Sequence, residues 1–196
     1  METARTDLVA SLATLGLLLQ QRGQTFDVVL VGGGCLLLRE VVSRPTKDLD
    51  ILGERLPDGS VRSLETLPVE LTKAATDVAD ALELAPDWIN VGPRSLNDLG
   101  LPPGFGSRLT LVEYGSLRVW LAGIDDLVFF KLYAATDSWP RRDRHLEDLE
   151  ALAPNRDQLL AAAAWARSHD PSPGFRQLLV ELLTAMGVEE ADRAVV

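Results

Sequence analysis

The periodicity of apolar positions changes several times along the chain, and each change marks an element. Residues 8–19, LVASLATLGLLL, place apolar side chains at helical spacing, which predicts an amphipathic first helix to about Gln21, stopped by Gly23. Phe26–Val31 is a β-branched run and predicts a buried strand. Cys35–Val42 is apolar at nearly every position, so a buried helix is expected there, opened by Gly32, Gly33 and Gly34. Lys47–Leu52 alternates and predicts a second strand, and 53–63, with Pro57 and Asp58-Gly59, predicts a loop. Residues 71–84 take a helical period with Val78, Ala81 and Leu82 on one face.

Residues 85–107 are rich in proline and glycine but carry Trp88, Ile89, Leu96 and Leu101, the signature of an ordered loop. A hairpin is expected from 108–114 and 117–122 around Gly115-Ser116. The rest is helical: 125–136, 143–152, 155–168 and 175–186, with Asp125 and Asn155 as N-caps, Gly187 as a C-cap, and Pro171 and Pro173 ahead of the last helix. This order predicts an α+β fold, with a small mixed β-sheet and packed helices over 1–122 and a helical part over 123–196.

Composition narrows the function classes. Of 196 residues, 46% are apolar and 24% charged, a globular balance. A net charge of −10 excludes a general polyanion binder, so a nucleotide has to be held by local basic groups or through metal ions. Cys35 is the only cysteine, which precludes an intrachain disulfide and suits a cytoplasmic location. No apolar run reaches the roughly 18 residues of a membrane span. The run at 8–19 could pass for a signal-peptide core, but Glu2 and Asp7 flank it and no small-residue cleavage site follows.

The densest chemistry lies in residues 28–50, VVLVGGGCLLLREVVSRPTKDLD. A strand, glycines and a helix open a dinucleotide-binding fingerprint, but the third glycine of that motif falls on Leu37. The aspartates suggest more. Side chains at i and i+2 of a strand share a face, so Asp48 and Asp50 point the same way. Paired carboxylates repel unless they are solvated or neutralised by cations, and Mg²⁺ is the natural cation where phosphates are also present. A glycine turn entering a helix offers backbone N–H groups to such phosphates. The plain alternative for two such acids is a solvated strand end.

Strand, Gly-Gly, helix, then Arg44, Thr46, Asp48 and Asp50 together resemble the polymerase-β-like nucleotidyltransferase fold. More narrowly, they resemble the AbiEii/MenT-type nucleotidyltransferases of bacterial toxin–antitoxin systems. DDLVFFKLYA (125–134) followed by HLEDLEAL (145–152) is similar to a second block of that group, and APDWIN (85–90) resembles a third element. One departure is Gly-Gly where many nucleotidyltransferases carry Gly-Ser. The resemblance implies an Mg²⁺- or Mn²⁺-dependent transfer of NMP from an NTP to an acceptor hydroxyl. It further implies a tRNA 3′ end as acceptor, arrest of translation, and a cognate antitoxin as partner. Transfer to a small molecule or a protein hydroxyl, or a catalytically silent nucleotide-binding module, are the alternatives.

The candidate catalytic residues are Asp48, Asp50, Lys131 and Asp148, with Asp48 and Asp50 as metal ligands. Lys131 lies three after Val128 and four after Leu127, on the apolar stripe of its helix with Ile124 and Ala135. From spacing alone it either snorkels outward or meets an anion. The resemblance gives it to the active site and makes Asp148 the third acid, with Glu113 of the hairpin as the rival. The candidate nucleotide-binding residues are Gly32, Gly33, Gly34, Arg39, Thr46 and Arg142. Arg141, Arg142 and Arg144 beside Trp139 form a basic loop that suits phosphates and a stacked base, or else a solvated loop balanced by Asp137 and Asp143. The resemblance also makes Thr46 a candidate phosphorylation point, where added negative charge would oppose NTP binding.

Overall fold

The computed structural model describes residues 4–195, apart from the side chains of Arg94, Asp98 and Leu99. The chain forms two compact units, Met1–Gly123 and Ile124–Val196.

In the first unit, helix α1 (Arg5–Gln21) leads through Gly23 into strand β1 (Phe26–Val31), and helix α2 (Gly32–Leu38) follows without a linker. Strand β2 (Leu49–Arg55) and strand β3 (Val61–Ser63) come next, then helix α3 (Val69–Leu82) and the two-residue strand β4 (Ile89–Asn90). Short helix α4 (Ser95–Leu99) precedes the hairpin of β5 (Thr110–Tyr114) and β6 (Leu117–Leu121). The sheet order is β3-β2-β1-β6-β5, with β4 also bonded to β2. β1 lies parallel to β6 and antiparallel to β2, so the sheet is mixed.

Leu8, Leu12, Leu15 and Leu19 of α1 recur every three or four residues and are all buried, as are Val28–Val31 of β1. On α3 the buried residues are Leu71, Ala74, Ala75, Val78 and Ala79. The face expected from sequence is therefore rotated, because Ala81 and Leu82 are exposed.

Three further expectations are corrected. The helix after β1 starts on the glycines and ends at Leu38, not Val42, and Glu40 beyond it takes a φ of +60°. Strand β2 begins at Leu49, so Asp48 precedes it. The segment 53–63 is a hairpin, with Gly53 opposite Ser63 and Arg55 opposite Val61. Asp58 closes its turn by accepting from the Ser60 backbone N–H at 2.9 Å.

The second unit is helical: α5 (Ile124–Ser138), α6 (Arg144–Ala151), α7 (Arg156–His169), α8 (Pro173–Ala185) and the single turn α9 (Ala191–Ala194). Asp143 caps α6, Asn155 caps α7 through a reciprocal capping box with Gln158, and Ser172 caps α8. Asp125 lies inside the first turn of α5 and does not cap it. Trp165 of α7 meets Phe129, Phe130 and Tyr133 of α5 edge-on, with centroids 5.8–5.9 Å apart. Among the described residues no helix is long and apolar enough to cross a membrane.

Candidate active site

The register of the sheet decides which acid meets the glycine turn. Val28 and Val29 pair with Glu54 and Gly53, a bulge follows, and Leu30 and Val31 pair with Ile51 and Asp50. Without the bulge Ile51 would stand opposite Val31, because each step along β1 is one step back along β2. The extra residue in β2 brings a carboxylate there instead. Gly32 follows Val31 with a φ of +71°. A Cβ on Gly32 would stand 2.1 Å from Asp50 Oδ2. The carboxylate fills the space a side chain would need, and the backbone conformation also favours glycine.

Asp48 enters from the loop before β2, and its Oδ2 accepts a hydrogen bond from Asn90 Nδ2 at 3.2 Å. Asn90 of β4 is the register partner of Asp50, and its Oδ1 accepts from the Gly92 N–H at 2.7 Å. A Cβ on Gly92 would lie 3.8 Å from Asp50 Oδ1. The two acids and Asn90 thus converge beside the glycine turn.

The three glycines do different work. Gly32 and Gly33 are half-buried, whereas Gly34 is buried. A Cβ on Gly34 would meet Leu49 Cδ2 at 2.5 Å and the Asp48 carbonyl at 3.3 Å, so this glycine serves the close packing of α2 on the loop that carries Asp48. A Cβ on Gly33 would stand 3.4 Å from Thr46 Oγ1 and 3.6 Å from Arg44 Nη2. The Arg44 guanidinium therefore flanks the turn. Sequence reading placed Arg44 in the motif but not among the nucleotide-binding candidates.

Thr46 is only 4% exposed, and its hydroxyl donates to the Asp48 carbonyl at 3.1 Å. It lies outside β2, so strand alternation does not put it on the carboxylate face; it braces the loop under Asp48. Thr46→Val should lower stability by about 1 kcal/mol through loss of this bond, measured by denaturant unfolding. Arg39 is committed to the sheet: its Nε donates to the Ala122 carbonyl at 2.6 Å, and its Nη2 donates to Thr110 Oγ1 at 3.0 Å and the Leu121 carbonyl at 3.1 Å. Glu113 is exposed on β5, opposite Arg118 in register.

In the helical unit, Lys131 does not snorkel. Lys131 Nζ lies 2.7 Å from Asp148 Oδ2, and the side chains are 7% and 0% exposed. The apolar stripe of α5 holds this lysine, with Leu127, Val128 and Ala135 buried, although Ile124 at its start is 37% exposed. Arg142 is exposed, and its Nη2 donates to both oxygens of the Glu150 carboxylate, at 2.7 and 2.8 Å.

The His145 imidazole is held below the ordinary histidine value, first by partial desolvation and then by repulsion from Lys131, although the residue as a whole is exposed. The sign follows: the unfolded chain binds the proton more readily, so this group lowers stability as pH falls below its ordinary value of 6.5. His145→Gln should flatten the stability–pH curve on the acid side of that value, as read by urea unfolding at a series of pH values.

Asp48 and Asp50 fit a divalent cation. Carboxylate oxygens are hard ligands suited to Mg²⁺ or Mn²⁺. Among the described residues no group of three or more His, Cys, Asp or Glu side chains could hold a metal ion. Two protein carboxylates with substrate oxygens and water completing the shell is the manner in which Mg²⁺ is ordinarily bound.

Comparison with known proteins agrees with this geometry at the level of the superfamily. The family described as "Nucleotidyltransferase of unknown function (DUF6036)" matches residues 8–152, from α1 through the helix that carries Asp148. No curated protein and no solved structure matches significantly. With a glycine turn, two convergent aspartates and a family match over most of its length, this chain belongs to the DUF6036 family of nucleotidyltransferases.

Proposed function

We propose that the protein transfers NMP from an NTP to an acceptor hydroxyl, with Mg²⁺ or Mn²⁺ held by Asp48 and Asp50. The observation that carries this reading is the seat of the Asp50 carboxylate against Gly32, which supports a role for this acid beside a turn that would receive phosphates. The backbone of Gly32 and Gly33 and the guanidinium of Arg44 orient the triphosphate. The acceptor oxygen bonds to the α-phosphorus, the α–β bridging bond breaks, pyrophosphate leaves, and the hydroxyl proton is lost to solvent. When bound, the cation neutralises charge on the phosphate oxygens. Lys131 and Asp148 take part in the reaction on the strength of the resemblance in residues 125–152.

The same resemblance supports a tRNA 3′ end as the acceptor and a toxin role in the bacterial cytoplasm, with translation blocked and a cognate antitoxin as partner. The test is incubation with each labelled NTP, Mg²⁺ and total RNA. Label on the tRNA fraction is expected; label on a small molecule or a protein moves the acceptor, and absence of label in every fraction overturns the reading. Asp48→Ala and Asp50→Ala should each reduce transfer to background with unchanged circular dichroism, and excess EDTA should do the same to the wild type.

Phosphorylation of Thr46 belongs to this reading. Because the hydroxyl is buried, a kinase reaches it only when the loop over 43–48 opens, and the charge then stays beside Asp48. Thr46→Glu should therefore lower both melting temperature and turnover; wild-type turnover in that variant would remove the regulatory role.

A further inference from the structure

We infer that Asn90 is a positioning residue for the metal site, a clasp that fixes the Asp48 carboxylate toward the cation. The inference rests on the function proposed above and assigns a role in it to a residue outside the glycine turn and the paired acids.

The orientation of the Asn90 amide is determined by its neighbours. The Gly92 backbone N–H can only donate, so the group it meets at 2.7 Å is the amide oxygen. The amide nitrogen then has to face Asp48, and Nδ2 donates to Asp48 Oδ2 at 3.2 Å. A donor locked in this way suits an ionised carboxylate, and it engages one of the two Asp48 oxygens.

The clasp is itself anchored. Ile89 and Asn90 pair in parallel with Leu49 and Asp50, and the Leu49 N–H donates to the Trp88 carbonyl at 2.7 Å. Trp88 is 4% exposed, and its indole N–H donates to the Ala75 carbonyl of α3 at 3.0 Å. Asn90 therefore stands on a fixed base, and Asp48, which lies in a loop ahead of β2, takes its side-chain orientation from it. Partners of this kind that orient a ligand typically change metal affinity or activity by about 10–100-fold when removed.

The test is direct Mn²⁺ titration, followed by electron paramagnetic resonance, on the full chain, alongside the Mn²⁺ dependence of NTP transfer. Asn90→Ala should weaken Mn²⁺ binding by about 10–100-fold, with transfer partly restored at raised Mn²⁺. A residue that merely supported the fold would lower the melting temperature and leave the Mn²⁺ affinity of the folded protein unchanged. Gly92→Ala is the second variant, for use also if Asn90→Ala does not fold. Its Cβ would stand 2.9 Å from Asn90 Oδ1 and push the amide from the far side, so it should shift Mn²⁺ affinity in the same direction. Wild-type Mn²⁺ affinity in both folded variants overturns the role of Asn90 and leaves the proposed function standing. A wild-type protein that binds no Mn²⁺ with or without NTP overturns the metal-dependent reading, and the clasp with it.

Discussion

Gly32→Ala is expected to lower transfer by at least about 100-fold, the scale of loss that a displacement of about 1 Å at a reacting centre produces. The added Cβ would stand 2.1 Å from Asp50 Oδ2 and 2.9 Å from its Cγ, so the carboxylate has to leave its place. The backbone adds to the effect, because a φ of +71° costs a residue with a side chain about 1–2 kcal/mol. Gly33→Ser is the matched control. Its Cβ would meet nothing closer than Thr46 Oγ1 at 3.4 Å, so activity within a few-fold of wild type is expected even though the change restores the Gly-Ser of many nucleotidyltransferases. NTP turnover and Mn²⁺ binding, measured side by side on the two variants, check both expectations. Equal activity in Gly32→Ala and wild type would mean that Asp50 is not a ligand.

The second large effect concerns the helical unit. Sequence alone shows a lysine on an apolar stripe and suggests that methionine would fit there without loss. Asp148 reverses that expectation. The pair is almost wholly inaccessible, at 7% and 0% exposure, and removing one member of a buried ion pair costs about 3–5 kcal/mol because the other charge stays buried. Lys131→Met should be destabilised by that amount in denaturant unfolding. The double variant Lys131→Met/Asp148→Leu should recover most of it, since apolar side chains of similar volume replace buried pairs at little cost. Transfer by the double variant then measures chemistry apart from stability. If the pair acts in the reaction, turnover falls by about two to three orders of magnitude, the scale of one lost preorganised electrostatic group. Wild-type turnover in that stable double variant would leave the pair as a tie between α5 and α6 and nothing more.

Local pattern was enough for several parts of this molecule. The apolar spacing of α1, the β-branched run of β1, the hairpin of β5 and β6 and the four long helices all follow from side chains interacting within a few residues of one another. The glycines at a strand end and the two acids further on are also visible as letters and carry a resemblance to nucleotidyltransferases, with which the family match over 8–152 agrees. What the letters left open depends on partners distant in sequence. The bulge opposite Val29 and Leu30 selects Asp50 over Ile51 as the neighbour of Gly32, and a one-residue shift in a ladder has no local signature. Asn90 reaches Asp48 across 42 positions of sequence; the resemblance in 85–90 includes it, but nothing local shows which acid it meets. Thr46 turns inward because β2 begins later than alternation implied, and Arg39 spends its donors on carbonyls that β6 brings near it. Lys131 gave a clear signal, an apolar stripe broken by a charge, but only the packing of α6 on α5 supplied the acid that makes burial tolerable. Sequence by itself thus determined most of the longer elements and the resemblance to nucleotidyltransferases, because periodicity and residue type act locally, while β3, β4 and α4 emerged only in the fold. Tertiary structure decided which carboxylate meets which glycine, amide or ammonium, because those contacts are fixed by register and packing between segments far apart in the chain.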